Sequence, residues 1–370
     1  MENQFSAEVT GLNSHGQGVL RAPSGKVYFV WNVYPQDLVQ VEITEEKKSF
    51  GYAKLLKIEK KSPARRESPC AYRPQCGGCP WIELNYDFQV ESKKKRVEEL
   101  RVVLESLQEK EIPLEDFTES KEELGYRNRA KLFLSEKNQF GFKQNQSSEV
   151  VAVKKCVVLN EQASTQLDHL SSQSFVAPKN FAFINAHREK YHLSNKESDV
   201  FCQANDKQNI RLKSHLREKL QLQTLSKNCF ELFSGTGNFS QELSECYLKV
   251  HAYDSLPRKA VLQIDGVQHH SVNLYQRSQL NKIHRQAEKL SQFDLFLDPP
   301  RAGFPDLIEF LKLKKLKNIF YVSCSDSSLR ADLQKLLKTK KFIVESMRGY
   351  DFFPQTPHVE FFVHLKRIDS

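Results

Sequence analysis

The sequence predicts a three-part α/β chain. A Rossmann-like domain spans residues 196–370, a small β-barrel spans 1–62, and an α+β domain spans 63–195. Three observations carry this reading. From residue 196 onward, short apolar runs alternate with helical patterns. The first sixty residues alternate in polarity at strand spacing, with turn residues between the runs. Between the two lie a linker, Ser62-Pro63-Ala64-Arg65-Arg66, and a tight run of cysteines.

In the first part, strands are expected at Phe5–Thr10, Val27–Trp31, Leu38–Ile43 and Tyr52–Ile58, with a turn at Gly16 and Gly18. Four or five such strands suit a barrel of the oligonucleotide-binding kind. The formal net charge is +9, from 55 basic and 46 acidic residues, which suits a polyanionic partner. Between Lys47 and Arg66 there are eight basic residues and one acid, Glu59, with Phe50 and Tyr52 among them. Basic residues interleaved with aromatics fit a surface that tracks phosphates and stacks bases. No apolar run is long enough to span a membrane, and the first residues, Met1-Glu2-Asn3-Gln4, carry no apolar signal core. A cytoplasmic location is expected. Eight cysteines in 370 residues do not make a disulfide scaffold.

Cys70, Cys76 and Cys79 open the central part, with Gly77 and Gly78 between the last two. Three thiols on a glycine-containing loop can wrap a metal centre. Both zinc and an iron-sulfur cluster fit the spacing. A fourth ligand must come from further on, and Cys156 is the first cysteine available. Residues 87–108 show helical periodicity through Val90, Val97, Leu100, Val103, Leu104 and Leu107. The run Lys93-Lys94-Lys95-Arg96 on that helix is read as a solvated face. Tyr126-Arg127-Asn128-Arg129-Ala130-Lys131 is read as a segment able to line an RNA groove.

In the last part, strands are expected at Cys229–Phe233, Val250–Asp254, Phe293–Leu297, Ile319–Val322, Phe342–Met347 and Val359–Leu365. Ser234-Gly235-Thr236-Gly237-Asn238 is a turn that lets backbone approach a ligand. Asp254 closes the second strand, where a carboxylate can accept the hydroxyls of a ribose. Asp298-Pro299-Pro300-Arg301 ends one strand, and Cys324 follows another. His358-Val359-Glu360 comes late in the chain. A thiolate can add to carbon 6 of a uracil, so that carbon 5 attacks a sulfonium methyl group. A carboxylate then removes the carbon 5 proton, and the thiol is eliminated. Cys324 and Glu360 supply those two groups.

Together these motifs make the chain resemble the RNA uracil-5-methyltransferase family over nearly its whole length, above all the ribosomal-RNA branch with a TRAM domain and a 4Fe-4S cluster. The resemblance implies S-adenosylmethionine as methyl donor, a TRAM barrel at the amino end, and Cys70, Cys76, Cys79 and Cys156 as cluster ligands. Phe201-Cys202-Gln203-Ala204-Asn205 is similar to the family's Phe-x-Gln-x-Asn and implies a cofactor role for Gln203. Glu231 to Phe239 is similar to Asp-Leu-x-Cys-Gly-x-Gly-x-Phe and implies contacts at Phe233 and Asn238. Asp254, Asn273 and Asp298 match further cofactor positions. Cys324 matches the nucleophile and Glu360 the base. Departures are Glu231 for Asp, Ser234 for Cys, Asp254 for Glu, and Ser325-Asp326 after the nucleophile in place of Asn-Pro. The implied substrate is a uridine of 23S ribosomal RNA, methylated by a monomer. The same reaction on transfer RNA, and an inactive iron-sulfur RNA-binding protein, are the alternatives.

Overall fold

The computed structural model describes residues 3–173, 180–196, 202–223, 225–257 and 261–368. Phe201 of the Phe-x-Gln-x-Asn segment lies outside them. The chain forms two compact units. The first comprises residues 1–93, 121–199 and 353–358, and the second comprises 94–120, 200–352 and 359–370.

The first unit holds two sheets. Strands β1 (Gln4–Glu8), β2 (Gly11–Leu12), β3 (Gly18–Arg21), β4 (Val27–Val30), β5 (Leu38–Glu46) and β6 (Phe50–Lys60) form a sheet in the order β1-β5-β6-β4-β3-β2. All the expected strands occur, with β2 and β3 added on either side of the Gly16 turn. Strand alternation turns Leu20, Val30, Val39 and Val41 inward onto one core with Val9 and Tyr28. The long helix α1 (Tyr86–Gln108) follows, and the boundary between the units falls inside it. Strands β7 (Arg129–Leu134), β8 (Phe140–Lys143), β9 (Val150–Ala152), β10 (Phe181–Asn185) and β11 (His192–Ser194) make a five-stranded sheet, with helix α2 (Glu161–Ser171) against β10.

Two expectations for this region are corrected. Lys93–Arg96 is a solvated face only in part: Lys94 and Lys95 are exposed, but Lys93 and Arg96 are not. Lys93 is fully buried and donates to the Phe353 carbonyl at 3.0 Å, and Arg96 pairs with Asp326 at 2.5 Å. Tyr126 and Asn128 are interior, with the Tyr126 hydroxyl donating to the Pro354 carbonyl at 3.0 Å, so they are not groove-lining residues.

The second unit opens its main run with helix α3 (Asp206–Leu222), capped by the Asn205 side chain. Then come β12 (Asn228–Leu232), α4 (Ser240–Ser244), β13 (Lys249–Asp254), β14 (Val267–Ser271), α5 (Arg277–Glu288), β15 (Phe293–Leu297), α6 (Leu307–Phe310), β16 (Leu316–Ser323), α7 (Asp326–Leu337), β17 (Phe342–Tyr350) and β18 (Glu360–Arg367). The sheet order is β14-β13-β12-β15-β16-β18-β17. Strands β14, β13, β12, β15 and β16 run parallel, while β18 is antiparallel to both β16 and β17. The fold is Rossmann-like. Strand β15 is buried at every position, as expected for a strand covered on both faces. The order reverses between β12 and β15, which places a ligand crevice beyond their carboxyl ends.

Candidate active site

Register assembles one end of this sheet. Leu232 is paired with both Tyr253 and Leu297, so Phe233, Asp254 and Asp298 each come one residue beyond a shared edge. Ser323 of β16 is paired with Phe361 of β18. One step further in an antiparallel pair sets Cys324 opposite Glu360.

The turn after β12 is held open by unusual backbone. Phe233 has φ +62°, a conformation costly for an aromatic residue and concentrated at functional sites. Gly235 has φ +57°, and its N–H donates to Asp254 Oδ2 at 3.0 Å. The Leu256 N–H donates to Asp254 Oδ1 at 3.0 Å, so the carboxylate is fixed in place by two backbone groups. The Phe233 ring lies 5.2 Å from that of Phe304 and 5.7 Å from that of Tyr275, which is half exposed. The Tyr275 hydroxyl donates to the Gly303 carbonyl at 3.2 Å. Asn273 lies just beyond β14. Its side chain accepts the Tyr275 N–H at 3.0 Å, and so shapes the turn that presents this ring. Asn238 is tied to α3 by a reciprocal amide pair with Asn209, at 2.9 and 3.2 Å.

Asp298 is the meeting point of the two halves. The Gln203 amide, which is buried, donates to its Oδ2 at 3.4 Å. Burial pushes the Asp298 carboxyl up to about 7, and the Gln203 hydrogen bond offsets this in part. Glu360 is 2 % exposed, and its carboxyl is pushed well above the usual range by burial and then by the Asp298 charge, with Arg301 opposing. The Cys324 thiol is pushed up to about 12 by burial, then by Glu360, while Arg301 pulls it down and Asp298 pushes it up. These mutual effects join Cys324, Glu360, Asp298 and Arg301 in a single site. The following loop is fixed by Gly303, whose φ of +73° and closeness to Asp332 leave no room for a side chain.

The sequence reading gave no role to three participants. Arg301 is the cation of the site, and its place beside the Asp298-Pro-Pro turn was the available signal. Tyr275 gave no signal, because an aromatic in a loop has many uses. Glu231 is wholly buried, and burial, with Asp298, Glu242 and Asp254 nearby, raises its carboxyl to about 8 against the hydrogen bond from Ser240. Ser240 Oγ donates to its Oε2 at 2.6 Å, and its Oε1 has no hydrogen-bond partner among the described residues.

In the first unit, Cys70, Cys76, Cys79 and Cys156 are free thiols that act on one another electrostatically. Burial raises the Cys79 thiol to about 12, with Cys156 and then Cys76 adding to the effect. Backbone N–H groups of Val158 and Leu159 face the Cys156 sulfur, and that of Gly78 faces Cys76. Among the described residues, no three His, Cys, Asp or Glu side chains are gathered tightly enough to hold a metal ion. Among them, too, no helix is long and apolar enough to cross a membrane.

A Rossmann-like sheet here gathers a turn, two carboxyl groups and a cysteine beyond its strand ends, where such sheets bind ligands. The sequence profile of the tRNA (uracil-5-)-methyltransferase family matches residues 183–368. The chain belongs to that family and is an RNA (uracil-5-)-methyltransferase. It is 28% identical to an uncharacterized RNA methyltransferase of Nitrosomonas europaea, over 96% of this chain and 95% of that protein. It is also 28% identical to the 23S rRNA (uracil(1939)-C(5))-methyltransferase of Photorhabdus laumondii, over 94% and 93%. Its fold is shared with the Pyrococcus abyssi tRNA (uracil-54, C5)-methyltransferase, solved with S-adenosyl-L-homocysteine. That likeness has a TM-score of 0.67 at 20% identity and covers 98% of this chain and 100% of the other.

Proposed function

We propose that the protein transfers a methyl group from S-adenosylmethionine to carbon 5 of a uridine in 23S ribosomal RNA, acting as a monomer in the cytoplasm. The observation that carries this reading is the mutual influence of Cys324, Glu360, Asp298 and Arg301, with Cys324 and Glu360 one step beyond the Ser323–Phe361 pair of β16 and β18. Cys324 adds to carbon 6 and carbon 5 takes the methyl group. Glu360 accepts the carbon 5 proton, and the Cys324–carbon 6 bond breaks as the double bond re-forms. Asp254 would accept the ribose hydroxyls of the methyl donor, and Phe233, Asn273, Gln203, Asn238 and Asp298 would hold the rest of it. The target base must leave its stack to reach the thiol.

Arg301 and the start of α7, two residues past Cys324, favour the thiolate that burial opposes. Burial raises the carboxyls of Glu360 and Asp298, and Arg301 opposes that rise at Glu360.

The six-stranded sheet, with its basic and aromatic β6, is read as the TRAM-like RNA-binding barrel, and the five-stranded region as the iron-sulfur domain. The reading is supported by the influence that the Cys70, Cys76, Cys79 and Cys156 thiols exert on one another and by backbone N–H groups lying against the Cys76 and Cys156 sulfurs. These four cysteines would hold a 4Fe-4S cluster. When bound it would cross-link the Cys70–Cys79 loop to the segment carrying Cys156.

Transfer RNA is the second reading, favoured by the name of the matched family. Mass mapping of modified nucleotides in ribosomal and transfer RNA, with and without the gene, separates the two. Loss of a single 5-methyluridine from 23S RNA is expected. Loss from transfer RNA moves the substrate, and loss from neither refutes the reading.

A further inference from the structure

A cleft of about 650 Å³ lies within the first unit, and it contains none of the residues assigned to methyl transfer. Its size is in the range of about 300–1,000 Å³ typical of small-ligand sites. Its wall includes His15, Trp31, Glu45, Tyr52, Asn145 and His358. Two of these carry buried donors that find no partner among the described residues, Trp31 Nε1 and Asn145 Nδ2. A buried N–H without an acceptor is costly and marks a place where a ligand can supply one. The single carboxylate named here, Glu45, is paired with Lys47.

The walls are fixed before any ligand arrives. Asn13 Oδ1 accepts the His15 and Gln17 N–H groups at 3.0 and 2.9 Å, which sets the loop that carries His15. Tyr52 is braced edge-on against Phe50, with ring centroids 5.6 Å apart. The loop 353–358 is held by Gln355, which is wholly buried. Its N–H donates to Gln89 at 2.8 Å, its Oε1 accepts from Arg66 at 2.8 Å, and its Nε2 donates to Glu123 at 3.1 Å. His358 ends this loop, two residues before Glu360 in the sequence.

Aromatic faces, unpartnered N–H donors and imidazoles call for a ligand with flat apolar faces and several acceptor oxygens. A pyrimidine or purine nucleotide has both, and the neighbouring lysines of β6 suit its phosphates. We propose that this cleft binds one unstacked nucleotide of the RNA substrate, other than the uridine that is methylated. The proposal rests on the reading that the protein acts on RNA. It gives the first unit a role in choosing the RNA, because a second base must be displaced and fitted into this cleft.

The test uses the full-length protein and a single-stranded fragment of 23S ribosomal RNA in which uridines are replaced by photoreactive 4-thiouridine. Irradiation followed by peptide mass mapping should place a cross-link on the peptides bearing Trp31, Tyr52 or His358. Replacing Trp31→Phe together with Asn145→Ala removes both donors and keeps the ring. It should weaken RNA binding about tenfold while S-adenosylmethionine affinity holds. Cross-links confined to other peptides, or unchanged RNA affinity in a folded double variant, would overturn the proposal. Methylation by the unmodified protein is scored in parallel. Its absence would sink the proposed reaction yet leave the cross-linking result to stand on its own.

Discussion

Replacing Glu231→Gln should invert the pH dependence of the stability difference between variant and parent. The parent carboxyl is wholly buried, takes one hydrogen bond from Ser240, and is raised from 4.5 to about 8 by burial and by Asp298, Glu242 and Asp254. Its folded value lies above its unfolded one. Its contribution is therefore fully present below about 4.5 and is lost as pH rises through about 8. The full swing is on the order of 3–5 kcal/mol. Glutamine mimics the protonated acid and cannot titrate. Its own cost is an amide where Oε1 now has no partner, about 1–3 kcal/mol at every pH. The variant should therefore be the less stable protein at pH 5 and the more stable one at pH 9. Calorimetry on cofactor-free protein across this range reads the crossing directly, and contributions from Asp298 and Glu360 largely cancel in the difference. Parallel curves would show that Glu231 is ionised throughout, and would remove the argument that burial governs the carboxyls of this site.

Cys324→Ala should abolish methyl transfer while the protein still binds S-adenosylmethionine, measured by calorimetric titration; near-parental turnover would exclude covalent catalysis. Glu360→Gln should still add its thiol and transfer the methyl group, then stall, leaving a protein–RNA adduct that survives denaturation and carries radiolabel from the donor; normal turnover without adduct would make Glu360 structural. Anaerobically purified protein should be brown with about four irons per chain, and Cys76→Ala should lose both, whereas stoichiometric zinc without visible absorbance would identify a different centre.

The sequence made most of the sheet legible because its strands are short apolar runs ending in chemically distinctive residues. Phe293–Leu297 into Asp298 is the clearest case, buried at all five positions as its composition required. Strand β14, Val267–Ser271, was not legible. Its sequence, VQHHS, is polar, and it is a strand because it pairs with β13 at the sheet's edge. Lys93 was misread for the opposite reason. A lysine within a basic run looks solvated, and its burial depends on partners distant in sequence such as the Phe353 carbonyl. Cys324 and Glu360 were readable as groups, but their juxtaposition was not, since it follows from the antiparallel register of β16 and β18. Arg301 and Glu231 were read as motif positions without a role, and Tyr275 was not read at all, because their meaning depends on neighbours brought from other strands.

The electrostatics of the site give the departures from the family pattern a physical sense. Glu231, Asp254, Asp298 and Glu360 all stand at one end of a single sheet, and four ionised carboxylates there would repel one another strongly. The structure separates their fates. Asp254 accepts two backbone N–H groups, which hold its carboxyl group in place. Glu231, Asp298 and Glu360 are buried, and burial raises all three carboxyls. Charge on Glu360 or Asp298 resists ionisation of the Cys324 thiol, and Arg301 favours it. In the proposed reaction Glu360 must be free of a proton before it can accept one from carbon 5, and Arg301 opposes the rise that burial and Asp298 impose on its carboxyl.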